Sequence, residues 1–163
     1  MSQIQREALS KLAGACTLRE LKQMHMEATF VQEPSTGQAE VTPELEVMLQ
    51  IARSPAEPKT EFAAIFRFNV ALNTETEPPV AVAKMKFNAI LVYSAAEGSD
   101  FTDDELNLFG QTNGMVHVWP YLRAFVQNSC AQLGTPVVTL PPFRIGQTLQ
   151  WHSPESSDAP ARS

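Results

Sequence analysis

The chain predicts an α+β protein, a four-stranded antiparallel sheet with a long helix packed on one side. Three observations carry that expectation. Four segments between residues 22 and 94 alternate apolar and polar side chains with period two. Their connections are short and carry turn-forming residues. A single amphipathic stripe of helical period then follows the strands, from Leu122 to Leu133.

Residues 4–12 form a short helix with Ile4, Ala8, Leu9 and Leu12 on one side, ended by Gly14. A helix of that length is marginal unless it docks. The first strand, residues 22–31, places Met24, Met26, Ala28 and Phe30 on one face and Gln23, His25, Glu27 and Thr29 on the other. Pro34, Ser35, Thr36 and Gly37 break it. The second, residues 44–52, sets Leu45, Val47, Leu49 and Ile51 against Glu44, Glu46, Met48 and Gln50, and a loop with Pro55 and Pro58 follows. The third, residues 61–72, has Phe62, Ala64, Phe66, Phe68, Val70 and Leu72 on one face. The fourth, residues 80–94, does the same with Met85, Phe87, Ala89, Leu91 and Tyr93. Consecutive alternating segments with short links predict an antiparallel meander with one packed face.

A capping box opens the helical part. Thr102 is the N-cap, Glu105 closes the box, and Phe101 and Leu106 form the staple. Gly110 and Gly114 either weaken this helix or mark a close approach to other backbone. Pro120 starts a new helix or kinks the old one. Leu122, Phe125, Val126, Ser129, Cys130 and Leu133 then recur at helical spacing, and Gly134 stops the helix. The expected organisation is a helical extension at residues 1–15, one domain at 20–150 and a disordered tail at 151–163.

Composition narrows the function. Of 163 residues, 44% are apolar but only 18% charged, so weakly polar surface is plentiful, and association is one way to cover it. A net charge of -6 without any Lys/Arg cluster argues against nucleic acid and anionic membranes. No apolar run approaches the roughly 20 residues needed to span a bilayer. Cys16 and Cys130 are far apart and in no metal-ligand spacing, as expected of free thiols in a reducing cytosol.

Nor does any chemistry emerge. His25, His117 and His152 are not paired with one another or with Cys at a metal spacing, and there is no phosphate loop or nucleophile elbow. Asp103 and Asp104 stand in a first helical turn, where the macrodipole explains them. The expectation is a non-enzyme with no cofactor, no metal site and no catalytic residues. What remains abundant is adaptable apolar surface, with six Met and nine Phe.

The stretch Val118-Trp119-Pro120-Tyr121-Leu122-Arg123-Ala124-Phe125, the helix end Leu133-Gly134, then Thr135-Pro136 and Leu140-Pro141-Pro142 resemble the SecB family of export chaperones. The resemblance spans residues 21–145 and includes the order of the four strands. It implies a SecB-like fold, a cytoplasmic homotetramer built as a dimer of dimers, and an ATP-independent holdase that binds unfolded preproteins in apolar grooves. It further implies hand-over to the SecA motor through acidic residues on the sheet and a C-terminal tail. On that basis Phe66, Phe68, Met85, Phe87, Leu91, Trp119 and Phe125 are client-binding candidates, and Glu27, Glu44 and Glu46 are partner-docking candidates. Residues 143–151 fit the family's last helix poorly, and the tail lacks the Cys and His cluster of typical members. A SecB-like chaperone dedicated to one client, such as an antitoxin, accommodates those departures. Two other readings use the same residues: a carrier enclosing an apolar small molecule, and an adaptor binding one folded partner through the acidic strand face.

Overall fold

The computed structural model describes residues 3–32, 40–54, 60–147 and 149–152. The turn expected at residues 34–37, the Pro55–Pro58 loop and all but two residues of the expected tail lie outside them. Helix α1 (Gln3–Ala15) runs into β1 (Cys16–Phe30), followed by β2 (Val41–Arg53), β3 (Glu61–Thr74) and β4 (Ala81–Ala95). Then come α2 (Asp103–Phe109), a π-helical turn (Gly110–Gly114), α3 (Met115–Leu133) and a short β5 (Gln150–His152).

The sheet has five strands in the order β1-β4-β3-β2-β5. Strands β2, β3 and β4 form the expected meander, but β1 pairs with β4 rather than β2. Burial explains that placement. Strands β3 and β4 are sealed along every second residue and take the centre, while the largely exposed β1 takes an edge. The fifth strand replaces the extra helix that residues 143–151 were too poor in apolar periodicity to form. It lies parallel to β2, with Trp151 opposite Val47 and packed on the core.

Side chains directly opposite on paired strands share a face, so the register lines up rows. One row on the helix side reads Val47, Phe68, Phe87, Met26, and the next reads Leu49, Phe66, Ala89, Gln23. The other face carries Glu46, Asn69, Lys86, Glu27. Strand β1 has register shifts between Leu18 and Glu20 and between Gln23 and His25. The second shift makes Met24 a bulge residue. Gln23 therefore faces the helix side together with Met26, not the outer face together with His25 as strict alternation predicts.

Helix α3 lays Leu122, Val126, Ser129 and Cys130 into the core, with Phe125 and Leu133 at the margin, as the stripe predicts. Burying each large apolar side chain there contributes about 1.5–3 kcal/mol. Trp119 and Arg123 explain the Trp-Pro-Tyr-x-Arg motif. Trp119 Nε1 donates to the Pro141 carbonyl at 2.8 Å and Arg123 Nε to the Leu140 carbonyl at 2.6 Å. The helix motif and the later Pro pair are thus one clasp, which straps residues 140–142 to α3. Pro120 lies inside α3 rather than at its start.

The capping box forms as expected: Thr102 Oγ1 accepts from Glu105 N at 3.2 Å, and Glu105 Oε2 accepts from Thr102 N at 2.8 Å. The backbone hydrogen bond from Thr102 is the main reason the Glu105 carboxyl is held below its ordinary range. Arg53 at the end of β2 locks this corner, with Nε donating to Asp103 Oδ1 at 2.9 Å and Nη2 to the Phe101 carbonyl. Helix α1 docks against α2 through the buried Leu9 and Leu12, and Lys11 sits over the Phe101 ring.

Both glycines of the π turn press most closely on side chains of the sheet. A Cβ on Gly110 would stand 2.7 Å from Leu49 Cδ2, and one on Gly114 3.0 Å from Phe66 Cζ. The Phe66 ring is fully buried and stacked on Phe68, with centroids 5.7 Å apart, so it has nowhere to retreat. Gly114→Val should therefore lower the unfolding free energy by about 1–3 kcal/mol through overpacking. Gly14→Ala, at a helical site with nothing within 4 Å, should instead raise it by roughly 0.5–1 kcal/mol. Urea midpoints of the two variants check both signs, and an unchanged midpoint for Gly114→Val would contradict the packing.

Candidate functional site

Alternation places one apolar face on every strand, but a single long helix cannot cover four strands equally. The row Val47, Phe68, Phe87 is fully sealed, while Met26, the next residue of the row on β1, is 53% exposed. Where coverage stops, an open groove of about 510 Å³ runs between β1 and α3. Gln23, Met26 and Ala28 form its strand wall. Its helix wall is Tyr121, Ala124, Phe125, Asn128, Ser129, Gln132 and Leu133. None of these residues is an acid, a base or a histidine. An uncharged wall of rings, thioether and carboxamides can bind chain segments by non-directional apolar contact and hydrogen bonds, and it offers no nucleophile–base pair.

Most of the expected client-binding residues lie beneath this groove, not in it. Phe66, Phe68, Met85, Phe87 and Leu91 are no more than 1% exposed, and Trp119 only 3%. Their places are set by pairing at the sheet centre and by the clasp to Pro141, so they present no surface to a client in this chain. Phe125 alone lines the groove. It is reached through a continuous series of rings: Phe66 to Phe68 at 5.7 Å, Phe68 to Phe87 at 6.0 Å, and Phe87 to Phe125 at 5.4 Å. The buried residues thus support the wall whose surface is Phe125. The same rings fill the sheet–helix space that a carrier of small apolar molecules would need.

The expected partner-docking acids share the outer sheet face without forming an acidic patch. Glu46 and Glu27 stand at opposite ends of one row, with Asn69 and Lys86 between them, about 14 Å apart at ordinary strand spacing. Glu27 lies 3.3 Å from His25 Nε2 and 4.0 Å from Lys86 Nζ, and Glu46 accepts from Asn69 Nδ2 at 3.4 Å. Glu44 lies in the next row of its face, which also holds Lys84. Sequence reasoning grouped the three because alternation gives the face but not the neighbours.

Gln23, Met26, Tyr121, Asn128 and Gln132 were absent from the sequence-based site. A signal for four of them existed. Tyr121, Phe125, Asn128 and Gln132 recur at i, i+4, i+7 and i+11, beside the buried stripe, and Met26 was read as apolar-face. Gln23 had none, because the bulge that turns it inward breaks the period. Among the described residues, no group of three or more His, Cys, Asp or Glu could hold a metal. No helix among the described residues is long and apolar enough to cross a membrane.

The chain thus folds as a five-stranded sheet with one long helix on one face and an uncharged groove between that helix and β1. The comparisons agree. The chain is 25% identical to the SecB-like chaperone Rv1957 of Mycobacterium tuberculosis strain H37Rv, over 87% of each chain, and equally to the SecB-like chaperone MT2006 of strain CDC 1551. Its fold matches the structure of Rv1957 in complex with a ChAD peptide from the Rv1956 HigA1 antitoxin. The TM-score is 0.74 at 20% identity, covering 85% of this chain and 97% of that one. No protein-family model matches the chain. In sequence and in fold the chain is similar to these SecB-like chaperones.

One titrating group sits at the root of α3. The Tyr93 phenol and His117 Nδ1 are 2.9 Å apart. Burial pushes the phenol up, so it stays protonated and hydrogen-bonds the imidazole. Burial also holds the His117 imidazole below its ordinary value of 6.5. The folded state then binds fewer protons than the unfolded chain once the pH drops below that value, so stability falls as the solution is acidified. The melting temperature should be lower at about pH 5 than at about pH 7.5, and His117→Asn should flatten that slope. Parallel slopes for parent and variant would contradict the assignment.

Proposed function

We propose that this chain is a molecular chaperone that holds extended segments of unfolded polypeptide in the β1–α3 groove, without ATP and without catalysing a reaction. The observation that carries the reading is the apolar row Val47–Phe68–Phe87–Met26, sealed at three residues and open at the fourth, on a fold shared with a SecB-like chaperone. Such a row offers a client the same contacts that hold the core together. Several weak contacts along one chain then give affinity without strict sequence selection.

Two kinds of client fit, unfolded preproteins and an antitoxin. The complex of the structural neighbour with an antitoxin peptide favours the second. A cytoplasmic homotetramer is the state expected for it. The long edge of β1 and the exposed Val116 on α3 are surfaces that assembly would cover. Delivery to the SecA motor through the sheet would have to use a face where Glu27, Glu44 and Glu46 alternate with Lys84, Lys86 and Arg67, which favours the dedicated client further.

Light scattering from a chemically denatured protein diluted into buffer tests the reading. Stoichiometric amounts of the chain should suppress aggregation without nucleotide. Phe125→Asp should abolish most of that protection, because a client would have to desolvate an unpaired charge. Aggregation that proceeds unchanged in the presence of the parent protein would overturn the proposal.

A further inference from the structure

The central row of core side chains has two ends. At β1 it stops at Met26, half in water, and at β2 it stops at Val47, fully sealed. The chain itself covers Val47, since Trp151 of β5 stands opposite it and packs on the core. Leu149, two positions earlier, packs on the core as well, and Gln150 between them is exposed. The segment thus alternates apolar, polar, apolar, and lies on β2 as an added strand does.

Its hold on β2 is weak. Strand β3 pairs with β2 from Val41 to Arg53, whereas β5 reaches only Glu46, Val47 and Met48. Parallel pairing is less stable per residue than antiparallel pairing, and this strand is shorter than most. A tether supplies the rest. Trp119 and Arg123 hold residues 140 and 141 on α3, and a turn in which Gln147 N donates to the Arg144 carbonyl at 2.9 Å leads toward β5. Tethering raises the effective concentration of β5 at this edge, so strong contacts are not required. Beyond Met48 no described strand pairs with the outer edge of β2, which borders an open cleft of about 360 Å³ with Leu49 and Ile51 in its wall. A free segment can therefore pair with more of β2 than β5 does, and in the more stable antiparallel sense.

We propose that β5 is an internal competitor: Trp151 keeps the β2 edge occupied, and an extended client segment takes that edge by displacing it. The occupant that fits is an extended polypeptide with an apolar side chain in Trp151's place, because the segment seated there has that form. A lipid would cover Val47 but would supply no main-chain partner to the edge. The inference rests on the chaperone reading and concerns the side of the sheet away from β1. Client affinity is then set by how often β5 is off the edge.

Two variants of the full chain move β5 in opposite directions. The probe is a permanently unfolded polypeptide, reduced and carboxymethylated α-lactalbumin. Trp151→Ala removes the anchor and should bind the probe about tenfold more tightly, as the open edge becomes more populated. The pair Glu46→Cys, Gln150→Cys stands across the β2–β5 register, within disulfide reach at ordinary strand spacing. Oxidised, that variant should bind the probe about tenfold more weakly than when reduced, because its edge no longer opens. Equal binding by the two forms would overturn the inference and leave the chaperone reading standing, with the client elsewhere on the molecule. Equal or weaker binding by Trp151→Ala would overturn it too. If neither the parent nor Trp151→Ala binds the probe, the chaperone reading fails and the inference fails with it. If Trp151→Ala melts early, the cysteine pair decides alone, since its two forms differ by one bond.

Discussion

Uneven coverage of one sheet face by one helix is the constraint on which the rest of the structure depends. Four strands present apolar side chains to the same side, and α3 has a single apolar stripe to place against them. It lies over β4 and β1, while α2 and the π turn cover β2 and β3, and Met26 on β1 stays half in water. The groove is therefore a continuation of the core into solvent. Its position is fixed by strand order, because β1 is the outermost strand beneath α3 and has no described strand on its far side.

Two local devices keep that arrangement in place. The π turn at Gly110–Gly114 lets Leu49 and Phe66 rise to the helix, so α2 and α3 press on the sheet without a gap. The clasp of Trp119 and Arg123 on the Pro141 and Leu140 carbonyls then ties the following segment across the helix. It fixes the path that leads to β5, whose Trp151 packs on the core beside Val47. The edge at β2 is thus partly covered from within the chain, and the edge at β1 remains open. The asymmetry leaves β1 as the sheet edge that no described strand pairs.

Much of the fold was legible in the sequence because period-two and helical patterns record which face is buried. The sealed face of β3 and β4, the capping box at Thr102 and Glu105, and the stripe from Leu122 to Leu133 all follow from side-chain spacing. Strand order did not, since alternation says nothing about neighbours, and β1 was set beside β2 by chain proximity. The site was legible only at Phe125. Aromatic richness pointed to Phe66, Phe68 and Phe87, yet the same apolar character that makes a residue a good client contact makes it a good core residue, and position in the sheet decides between them. Gln23 was hidden by a bulge that a single sequence does not announce. The acids Glu27, Glu44 and Glu46 were placed on the right face, but the basic residues between them are visible only once the strands are in register.

Site-specific photo-cross-linking asks most directly whether the open end of the core is where clients lie. A benzophenone side chain placed at Ala124, on the helix wall, should cross-link an unfolded polypeptide, and the same group at Ile65, on the outer sheet face, should not. Cross-linking at Ile65 with none at Ala124 would contradict the assignment of the groove.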